Sequence, residues 1–460
     1  MILALTLIAC DVNDLLDVPD PDVATPTTIE SKDALPAVLA SAQADYMVAY
    51  DGNVSTNLVT GVGLITDELI HAETFPTRLE FDIRNIQATT NTDLQTLYRN
   101  LHRARISAKR AATAYVKFDT TQLGWAESLI LEGMTYVNFG ESFCNGVPFS
   151  ELTQADSVIY GDPITNDSMF ALAIVRFDSA ITAIGFKDTA AAAASARTLR
   201  NFARVAKARA LLDRGQAAAA ATVLAAEVGP PARAAVPDNF AYTINHSENT
   251  TRQNNGTFAL IYDGRRFAVG NSEGTNGLPF RTDGDTAAAV RDPRIRNGRG
   301  TGVAAFGFDG ATPLFQEKKY PVRSSPIVVA DGIEARLIEA EANLQTAAGG
   351  SGTWLATLNT LRTNAGMAGN LVNQGSQTAN ENLFFKERAY WLWLTGHRLS
   401  DMRRLIRQYG RAPTAVFPTG AYPKGNVYGG DVNFPIYFDE KNNPKVTAGP
   451  ATGFCIDRDP

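Results

Sequence analysis

The chain is poor in the two side chains that most often hold metals and redox centres. It has three cysteines and four histidines among 460 residues. The cysteines form no CxxC pair, which argues against a zinc ribbon or a thioredoxin-like site. The histidines stand in no HExxH or similar ligand spacing. We therefore expect no metal site and no cofactor.

Positive charge and long apolar runs are also scarce. The formal net charge is -6, whereas a protein that binds nucleic acid should present a basic face. We therefore expect no nucleic-acid partner. No stretch of the sequence reaches the run of about 20 apolar residues that a transmembrane helix requires.

The motifs of common enzyme classes are missing. The sequence has no GxxxxGK[ST], no GxSxG and no EF-hand loop. A glycine-rich stretch at 298–303 follows no clear strand, which disfavours a nucleotide site. Carboxylates are plentiful, but no spacing singles out an acid/base pair. We predict that the protein is not an enzyme and has no catalytic residue.

A short apolar run, residues 1–9, opens the chain and ends in LIAC at 7–10. This tetrapeptide matches the lipobox of bacterial lipoproteins, in which the cysteine becomes the lipidated N-terminus. We interpret residues 1–10 as a lipoprotein signal remnant and Cys10 as the lipidation site, with a buried free cysteine as the alternative. Residues 11–29 are rich in Asp, Thr and Pro, which predicts an extended tether.

The remaining two cysteines are Cys144 and Cys455. If Cys10 is lipidated, these two are left as a possible disulfide pair. Such a pair makes sense only in an oxidising compartment. The sequence does not show whether the two residues approach within bonding distance.

Apolar residues recur every three or four positions through much of the chain, which is the pattern of amphipathic helices. Asn91 is a good N-cap for the longest of these stretches. Gly215 divides a later stretch into two helices with small residues at their contact, as in a tetratricopeptide hairpin. The predicted helical stretches are Ser31–Tyr50, Asn91–Phe118, Gln122–Phe143, Ser168–Phe186, Thr198–Pro230 (split at Gly215), Asp331–Ala347, Thr353–Gly366 and Glu381–Gly410.

Two stretches lack the helical pattern. Residues 55–90 are mixed, and residues 232–326 are rich in Gly, Asn, Asp and aromatic side chains. So long a loop-rich insertion in a helical array indicates a function, since loops on a rigid scaffold often carry binding residues. We predict a mainly α single domain at 30–460. It comprises a helical scaffold at about 30–230 and 327–412, a partly β ligand lobe at about 232–326, and an irregular tail at 413–460.

Two charged features admit both a functional and a structural interpretation. Asp67 and Glu68 are a candidate acid/base pair, but adjacent side chains diverge on a regular element. We favour a loop pair that caps a helix or binds arginine. The late charged helix carries Glu387, Arg398 and Asp401 among tryptophans. An anion site is one interpretation, and we favour ion pairs that tie this helix to its neighbours.

Several short segments, in order, carry a family resemblance. They follow the lipobox and are FCNGVPFSE (143–151), RDPRI (291–295), EARLIEAEANL (334–344), LNTLRTNAG (358–366), ERAYWLWLTGHRLSDMRR (387–404) and FPIYFDEKNNP (434–444). Together they resemble the SusD/RagB-like outer-membrane nutrient-binding lipoproteins over essentially the whole chain. Trp391 and Thr395 replace two glutamates usual in the family's late helix, and Tyr437 replaces a proline of its closing motif. Both motifs are structural, so these departures leave the functional expectation unchanged.

The resemblance implies both a fold and a role. The fold is a SusD-like scaffold of tetratricopeptide-like helix pairs with an inserted ligand lobe. Such proteins have no catalytic activity and are lipid-anchored on the outer face of the outer membrane. They cap a TonB-dependent (SusC-like) β-barrel transporter and pass oligosaccharides or peptides to it. The alternative is a self-assembling structural or filament subunit built on the same fold.

Sugar binders of this family stack aromatic rings on pyranose faces, and the matching regions here are residues 55–90 and 232–326. The candidate ligand-binding residues are Asp67, Glu68, Phe75, Arg78, Phe81, Tyr262, Arg265, Phe267, Phe280, Phe306, Phe308 and Tyr320. Most of these rings have the alternative role of lobe core. All four tryptophans lie on predicted scaffold helices, which leaves a peptide ligand open.

Overall fold

A computed structural model describes residues 31–152, 157–185, 193–227, 233–289 and 291–460. The proposed signal remnant at 1–10, with Cys10, and the proposed tether at 11–29 lie outside the described residues. No helix in these ranges combines the length and the apolar character that crossing a membrane requires.

Helices form most of the described chain. In chain order they are α1 (Leu35–Asp51), α2 (Leu58–Ile65), α3 (Pro76–Asp82), α4 (Thr92–Phe118), α5 (Leu123–Ser142), α6 (Asn166–Ile184), α7 (Ala193–Asp213), α8 (Ala217–Leu224), α9 (Gly256–Phe258), α10 (Phe280–Gly284), α11 (Gly332–Thr346), α12 (Gly352–Asn364), α13 (Gln377–Trp391), α14 (Arg398–Arg407) and α15 (Pro413–Val416).

The strands are short and pair two by two. They are β1 (Leu69–His71), β2 (Val147–Pro148), β3 (Glu151–Leu152), β4 (Val158–Ile159), β5 (Pro163–Ile164), β6 (Ala241–Ile244), β7 (Phe267–Val269), β8 (Asn297–Arg299), β9 (Phe315–Glu317) and β10 (Ile327–Asp331). Each two-stranded sheet is antiparallel: β1 with β7, β2 with β5, β3 with β4, β6 with β10, and β8 with β9.

The long helices pack in sequence order around one core. Helix α4 contacts α1 and α5, α5 contacts α6, and α6 contacts α7. The side-chain amide oxygen of Asn91 accepts a hydrogen bond from the Leu94 backbone N–H at 2.8 Å, so the predicted N-cap is confirmed. Gly215 has a φ of +73°, which suits the turn between α7 and α8. The predicted mainly α fold of paired helices is confirmed.

The insertion leaves the helical array and returns to it at one place. Strand β6, near its start, pairs with β10 at its end, with Ile244 opposite Ile327. Helix α11, which follows β10, packs against α8, so the late helices continue the early array. Strand β1 of the 55–90 segment pairs with β7 of the insertion, with His71 opposite Phe267. The 55–90 segment, for which the sequence predicted no helix but which contains α2 and α3, therefore forms one lobe with the insertion.

The predicted helix Glu381–Gly410 is wrong, because the structure divides it into α13 and α14. Between them Leu394 and Gly396 have φ values of +52° and +78°. Peptide groups in the break bind buried side chains instead of each other. The Leu394 N–H donates to Glu68 at 3.0 Å, and its carbonyl accepts from the Tyr320 hydroxyl at 2.8 Å. These tertiary hydrogen bonds replace those of a continuous helix.

The buried charges of α13 and α14 hold neighbouring elements, as the structural interpretation predicted. The Arg404 guanidinium donates to Glu341 at 2.9 Å and to Asp401 at 2.9 Å. The Arg388 Nε donates to the same Asp401 carboxylate at 2.8 Å. Fully buried charges require such partners, since an unpaired one carries a large desolvation cost.

A disulfide joins Cys144 to Cys455, whose Cα atoms are 5.9 Å apart. It links the residue that follows α5 by two positions to the end of the C-terminal tail. The tail is irregular, with short 3₁₀ turns at Phe438–Asn442 and Pro450–Thr452. The pairing that the sequence left open is therefore present in the fold, and it fastens the tail to the scaffold.

Candidate functional site

The structure separates the twelve candidate residues into three groups by exposure. Phe75, Phe306 and Phe308 are exposed, with 50%, 42% and 47% of their surfaces accessible. The half-buried candidates are Arg78, Tyr262 and Arg265. The buried candidates are Asp67, Glu68, Phe81, Phe267, Phe280 and Tyr320. Only the exposed and half-buried groups can meet a ligand that arrives from solvent.

The buried carboxylates of the candidate set bind the scaffold. Both Asp67 oxygens accept hydrogen bonds of 2.8 Å from Arg398. Glu68 accepts from the Leu394 N–H at the break between α13 and α14. This geometry matches the structural interpretation of the pair, and it removes both side chains from the ligand surface.

The buried rings belong to the core. The Phe81 ring meets Phe434 edge-on at 5.2 Å between centroids. Phe280 packs beside Trp393, and Phe267 is fully covered on β7. The Tyr320 hydroxyl donates a hydrogen bond to the Leu394 carbonyl. These rings pack against other side chains in the core, so they are not available to stack on a ligand.

Phe75 is exposed because of where the chain places it. Strand β1 ends at His71, and residues 72–75 turn toward α3. The residue before a proline avoids the helical region, and Phe75 accordingly has φ -73° and ψ 119° before Pro76. The His71 Nε2–H donates to the Phe75 carbonyl at 3.1 Å. Burial lowers the pKa of His71 to about 4, so this ring is neutral and holds the turn.

A buried glutamate organises the charged side chains beside Phe75. The Glu73 carboxylate accepts from Arg78 at 2.6 Å and from Arg266 at 3.0 Å. The carbon centre of the Arg266 guanidinium lies 5.3 Å from the Phe75 ring centroid and 4.0 Å from that of Phe308. Such cation–π contacts fix the rings without covering their outer faces. We call Phe75, Phe306, Phe308, Arg78 and Arg266 the aromatic patch.

A third chain segment closes the patch next to the β1–β7 pair. The Phe308 N–H donates to the Arg265 carbonyl at 2.8 Å, and the Asp309 N–H donates to the Ala72 carbonyl at 3.1 Å. A Cβ on Gly307 would lie 2.3 Å from that Ala72 oxygen, so the close approach requires glycine. Arg265 has a φ of +53° and donates to the Val303 carbonyl at 2.7 Å, which ties down the neighbouring turn.

The side chains of the aromatic patch are of types that bind a ligand by stacking and hydrogen bonding. The patch offers three exposed phenyl rings and two guanidinium groups, and the carboxylates that hold these arginines, Glu73 and Asp93, are buried. In the described part of the chain, no three His, Cys, Asp or Glu side chains cluster closely enough to hold a metal ion. Rings stack on apolar faces, and guanidinium groups donate hydrogen bonds to oxygen acceptors.

A second depression, of about 610 Å3, lies on the scaffold beside α4. Its lining includes His102 and Arg105, and both side chains contact neighbouring residues of the scaffold. The Arg105 guanidinium lies over the Phe149 ring at 5.2 Å and donates to the Ser150 carbonyl at 2.5 Å. His102 packs edge-on against Tyr98 at 4.5 Å. These contacts are those of a stabilised helix surface, and we keep the aromatic patch as the candidate site.

Sequence reasoning missed the residue that organises the patch. Glu73 was not among the candidates, although it holds both arginines. Its partner Arg266 is 193 positions away along the chain. No local pattern marks such a contact. The proline that follows Phe75 is a local signal, because it predicts a non-helical residue at the start of α3.

Comparison of the sequence with protein-family models and with curated proteins finds no match. Solved structures do resemble the chain. A "Laminarin binding SusD-like protein" matches 90% of this chain and 98% of its own at 14% identity and a TM-score of 0.55. The "Surface glycan-binding protein A" of Bacteroides uniformis matches 91% and 100% at 12% identity and 0.63. A SusD-like carbohydrate-binding protein of Bacteroides fragilis matches 90% and 98% at 17% identity and 0.62. Similarity at this level of identity shows a shared fold.

Proposed function

We propose that this chain, which has the SusD-like fold, is a member of the SusD/RagB-like family and captures an oligomeric nutrient without transforming it. The nutrient is an oligosaccharide in our proposal. One observation carries it: Phe75 and Phe308 are both about half exposed, and the Arg266 guanidinium carbon lies 5.3 Å and 4.0 Å from their ring centroids. The printed names of several proteins with this fold describe carbohydrate or glycan binding, which supports the choice.

The patch suits a sugar chain physically. The C–H face of a pyranose ring is apolar and flat, so it stacks on a phenyl ring and removes apolar area from water. The sugar hydroxyls need donors and acceptors at the rim, and the guanidinium groups of Arg78 and Arg266 provide donors there. Because Glu73 and the three backbone segments hold these side chains, little rotamer entropy is lost on binding.

The proposal extends to the location and the partner of the protein. Lipidation at Cys10 would anchor it to the outer membrane, and the tether at 11–29 would let the domain stand at the cell surface. The partner is then a TonB-dependent, SusC-like β-barrel transporter that receives the captured nutrient. The lipobox and the fold support this arrangement.

The binding step is tested with the purified domain on a panel of immobilised polysaccharides and peptides. We expect wild type to bind at least one polysaccharide. The double variant Phe75→Ala/Phe308→Ala should lose about tenfold in affinity, because two stacked rings are removed. Tyr160→Ala is the matched control, since Tyr160 is an exposed ring outside the lobe. Binding to peptides alone would replace the oligosaccharide with a peptide nutrient, and equal losses in both variants would contradict the assigned site.

The delivery step is tested in native membranes. A C-terminally tagged copy is extracted in detergent, and co-purifying proteins are identified by mass spectrometry. A stoichiometric large β-barrel supports the transporter partnership, and Cys10→Ser should shift the protein out of the membrane fraction. Recovery of the protein alone, or as its own polymer, would contradict delivery and favour the structural-subunit alternative.

A further inference from the structure

The insertion at 232–326 is the positively charged part of an acidic protein. Residues 232–326 contain twelve Lys and Arg side chains and nine Asp and Glu, a net charge of +3. The whole chain has 42 Lys and Arg side chains and 48 Asp and Glu side chains, a net charge of -6. The rest of the chain therefore carries 30 basic and 39 acidic side chains, a net charge of -9. The positive charge of the lobe is therefore concentrated in the insertion, since residues 55–90 carry two basic and five acidic side chains.

Many carboxylates of the lobe are already engaged, some with lobe arginines and some with lysines outside the lobe, so they do not pair with the remaining arginines. Ion pairs join Asp263 to Arg323, Asp283 to Lys386, Asp292 to Arg294 and Asp309 to Lys424. Glu317 is buried and accepts hydrogen bonds from two backbone N–H groups.

Three arginines of the lobe that form no ion pair with a carboxylate of the described residues alternate with two phenyl rings. The Arg299 guanidinium carbon lies 5.3 Å from the Phe306 centroid and 5.6 Å from that of Phe315. Arg281 lies 4.8 Å from the same Phe315 ring. Arg265 donates to the Phe306 carbonyl at 3.4 Å. We call Arg265, Phe306, Arg299, Phe315 and Arg281 the arginine ridge.

The ridge is firmly held and continues the aromatic patch. Arg299 and Phe315 are directly opposite each other in the β8–β9 pair. The Arg299 Nε donates to the Ala305 carbonyl at 3.1 Å, which leaves its other nitrogens available. The Arg265 carbonyl accepts a hydrogen bond from the Phe308 N–H at 2.8 Å, so the ridge begins beside the patch. A sugar chain that stacks on the patch can therefore extend along the ridge.

We infer that the arginine ridge selects an anionic oligosaccharide, whose carboxylate or sulfate groups meet the guanidinium groups between stacked sugar rings. This inference rests on the proposed function and names its ligand class. A guanidinium offers a planar fork of N–H donors that matches a carboxylate or sulfate oxygen pair. A neutral sugar on the ridge would desolvate these charges without supplying an opposite one, which is unfavourable.

The test is a glycan array that carries carboxylated, sulfated and neutral polysaccharides, with polyglutamate as a polyanion that is not a sugar. Fragments of the best carboxylated binder are then compared with their methyl esters, which keep the sugar and remove the charge. We expect the acid to bind at least about tenfold more tightly than the ester. Raising the salt from about 50 to 500 mM should weaken only the acid, since charge attraction is screened.

Variants then locate the effect. Arg281→Gln and Arg299→Gln should each reduce affinity for the acid about tenfold and leave the ester unchanged. Arg110→Gln is the control, because Arg110 is an exposed arginine on the scaffold helix α4. The salt comparison uses wild type alone, so it stands even if a ridge variant folds poorly.

The outcomes separate this inference from the proposed function. A preference for carboxylated or sulfated polysaccharides that is lost in the ridge variants supports the inference. It also shows which of the two anionic groups the ridge binds. Binding confined to neutral members overturns the inference and leaves glycan capture intact. Binding to polyglutamate as tight as to an acidic glycan also overturns it, because the ridge would then be a general polyanion surface. Binding to no glycan overturns both.

Discussion

Asp67 and Arg398 form a buried two-point ion pair, in which the arginine Nε and Nη2 each donate to a different carboxylate oxygen at 2.8 Å. The two residues are 331 positions apart. Asp67 lies two residues before β1 of the lobe, and Arg398 is the first residue of α14. The pair therefore joins the lobe to the last scaffold helices, and Asp67 binds an arginine as the favoured structural interpretation predicted.

Asp67→Asn should strongly destabilise the fold. The variant keeps the shape of the side chain but leaves the Arg398 charge buried without a counter-charge. Loss of one partner from a buried pair costs about 3–5 kcal/mol. Urea unfolding of the purified domain measures the difference. The control is Asp162→Asn, which breaks the exposed pair with Lys445 and should cost less than about 1 kcal/mol. Equal losses of unfolding free energy in the two variants would show that the buried Asp67–Arg398 pair stabilises the fold no more than an exposed pair does.

Glu68, the neighbour of Asp67, should make stability depend on pH in the opposite direction from most carboxylates. Burial raises the pKa of Glu68 to about 8, against about 4.5 in the unfolded chain. The folded state therefore keeps a proton that the unfolded state releases. Stability from this group is complete below about pH 4.5 and falls as the pH rises toward 8. Burial raises the pKa of Asp51 and Asp82 to about 8 as well, so they act in the same direction.

The measurement is urea unfolding at pH 5, 7 and 9. Carboxylates with lowered pKa values, such as Glu334 and Asp401, lose their contribution only below this window. Glu68→Gln keeps an acceptor for the Leu394 N–H and removes the ionisable group. It should be more stable than wild type by at least about 1 kcal/mol at pH 9 and should lose that advantage at pH 5. Glu248→Gln, at an exposed glutamate, is the control. Parallel pH curves for Glu68→Gln and wild type would show that Glu68 is ionised in the fold.

Gly396 should be required at the break between α13 and α14. Its φ of +78° places an L side chain in the left-handed region. Gly396→Ala should therefore cost about 1–2 kcal/mol in unfolding free energy. Gly430→Ala is the control, because its φ is not positive and a Cβ there meets open space. If Gly396→Ala were as stable as wild type, position 396 would tolerate an L side chain and the break would not require glycine.

The break shows what the sequence could and could not predict about the fold. Helix α4 was predicted within one residue at its start, because its apolar spacing and its Asn91 cap are local. The break at 392–397 depends on Glu68, Tyr320 and Tyr50, which approach from three distant segments. Local periodicity continues through the break, so it predicts a helix where tertiary hydrogen bonds prevent one.

The same reasoning applies to the candidate site. Aromatic residues in the right regions were predicted, but residue type does not report burial: Phe267 and Phe280 fill the core, whereas Phe308 is exposed. Strand β7 puts Phe267 inside because its backbone pairs with β1 at that position. The Glu73–Arg266 contact depends on the folded lobe. Candidate ligand residues on loops are therefore harder to predict from a sequence than the scaffold that holds them.

Glu73 offers a way to test whether the aromatic patch depends on its buried support. Glu73→Gln keeps one acceptor but removes the charge that holds Arg78 and Arg266. Arg78 retains Asp93 as a partner at 3.1 Å, whereas Arg266 loses its ion pair and becomes free to leave the space between Phe75 and Phe308. We expect glycan affinity to fall about three- to tenfold, with an unfolding cost of about 1–2 kcal/mol.

The control lies on α3, the short helix that carries Arg78. Glu80 of α3 accepts hydrogen bonds from the Asn91 amide and the Gln87 N–H, away from the patch. Glu80→Gln should cost a comparable amount of stability and leave glycan affinity unchanged, which separates positioning from general loosening. Equal losses of affinity in the two variants would indicate loosening, and an unchanged affinity in Glu73→Gln would show that the rings bind without the arginine between them. A selective loss in Glu73→Gln means that a carboxylate no ligand touches sets the geometry of the binding surface.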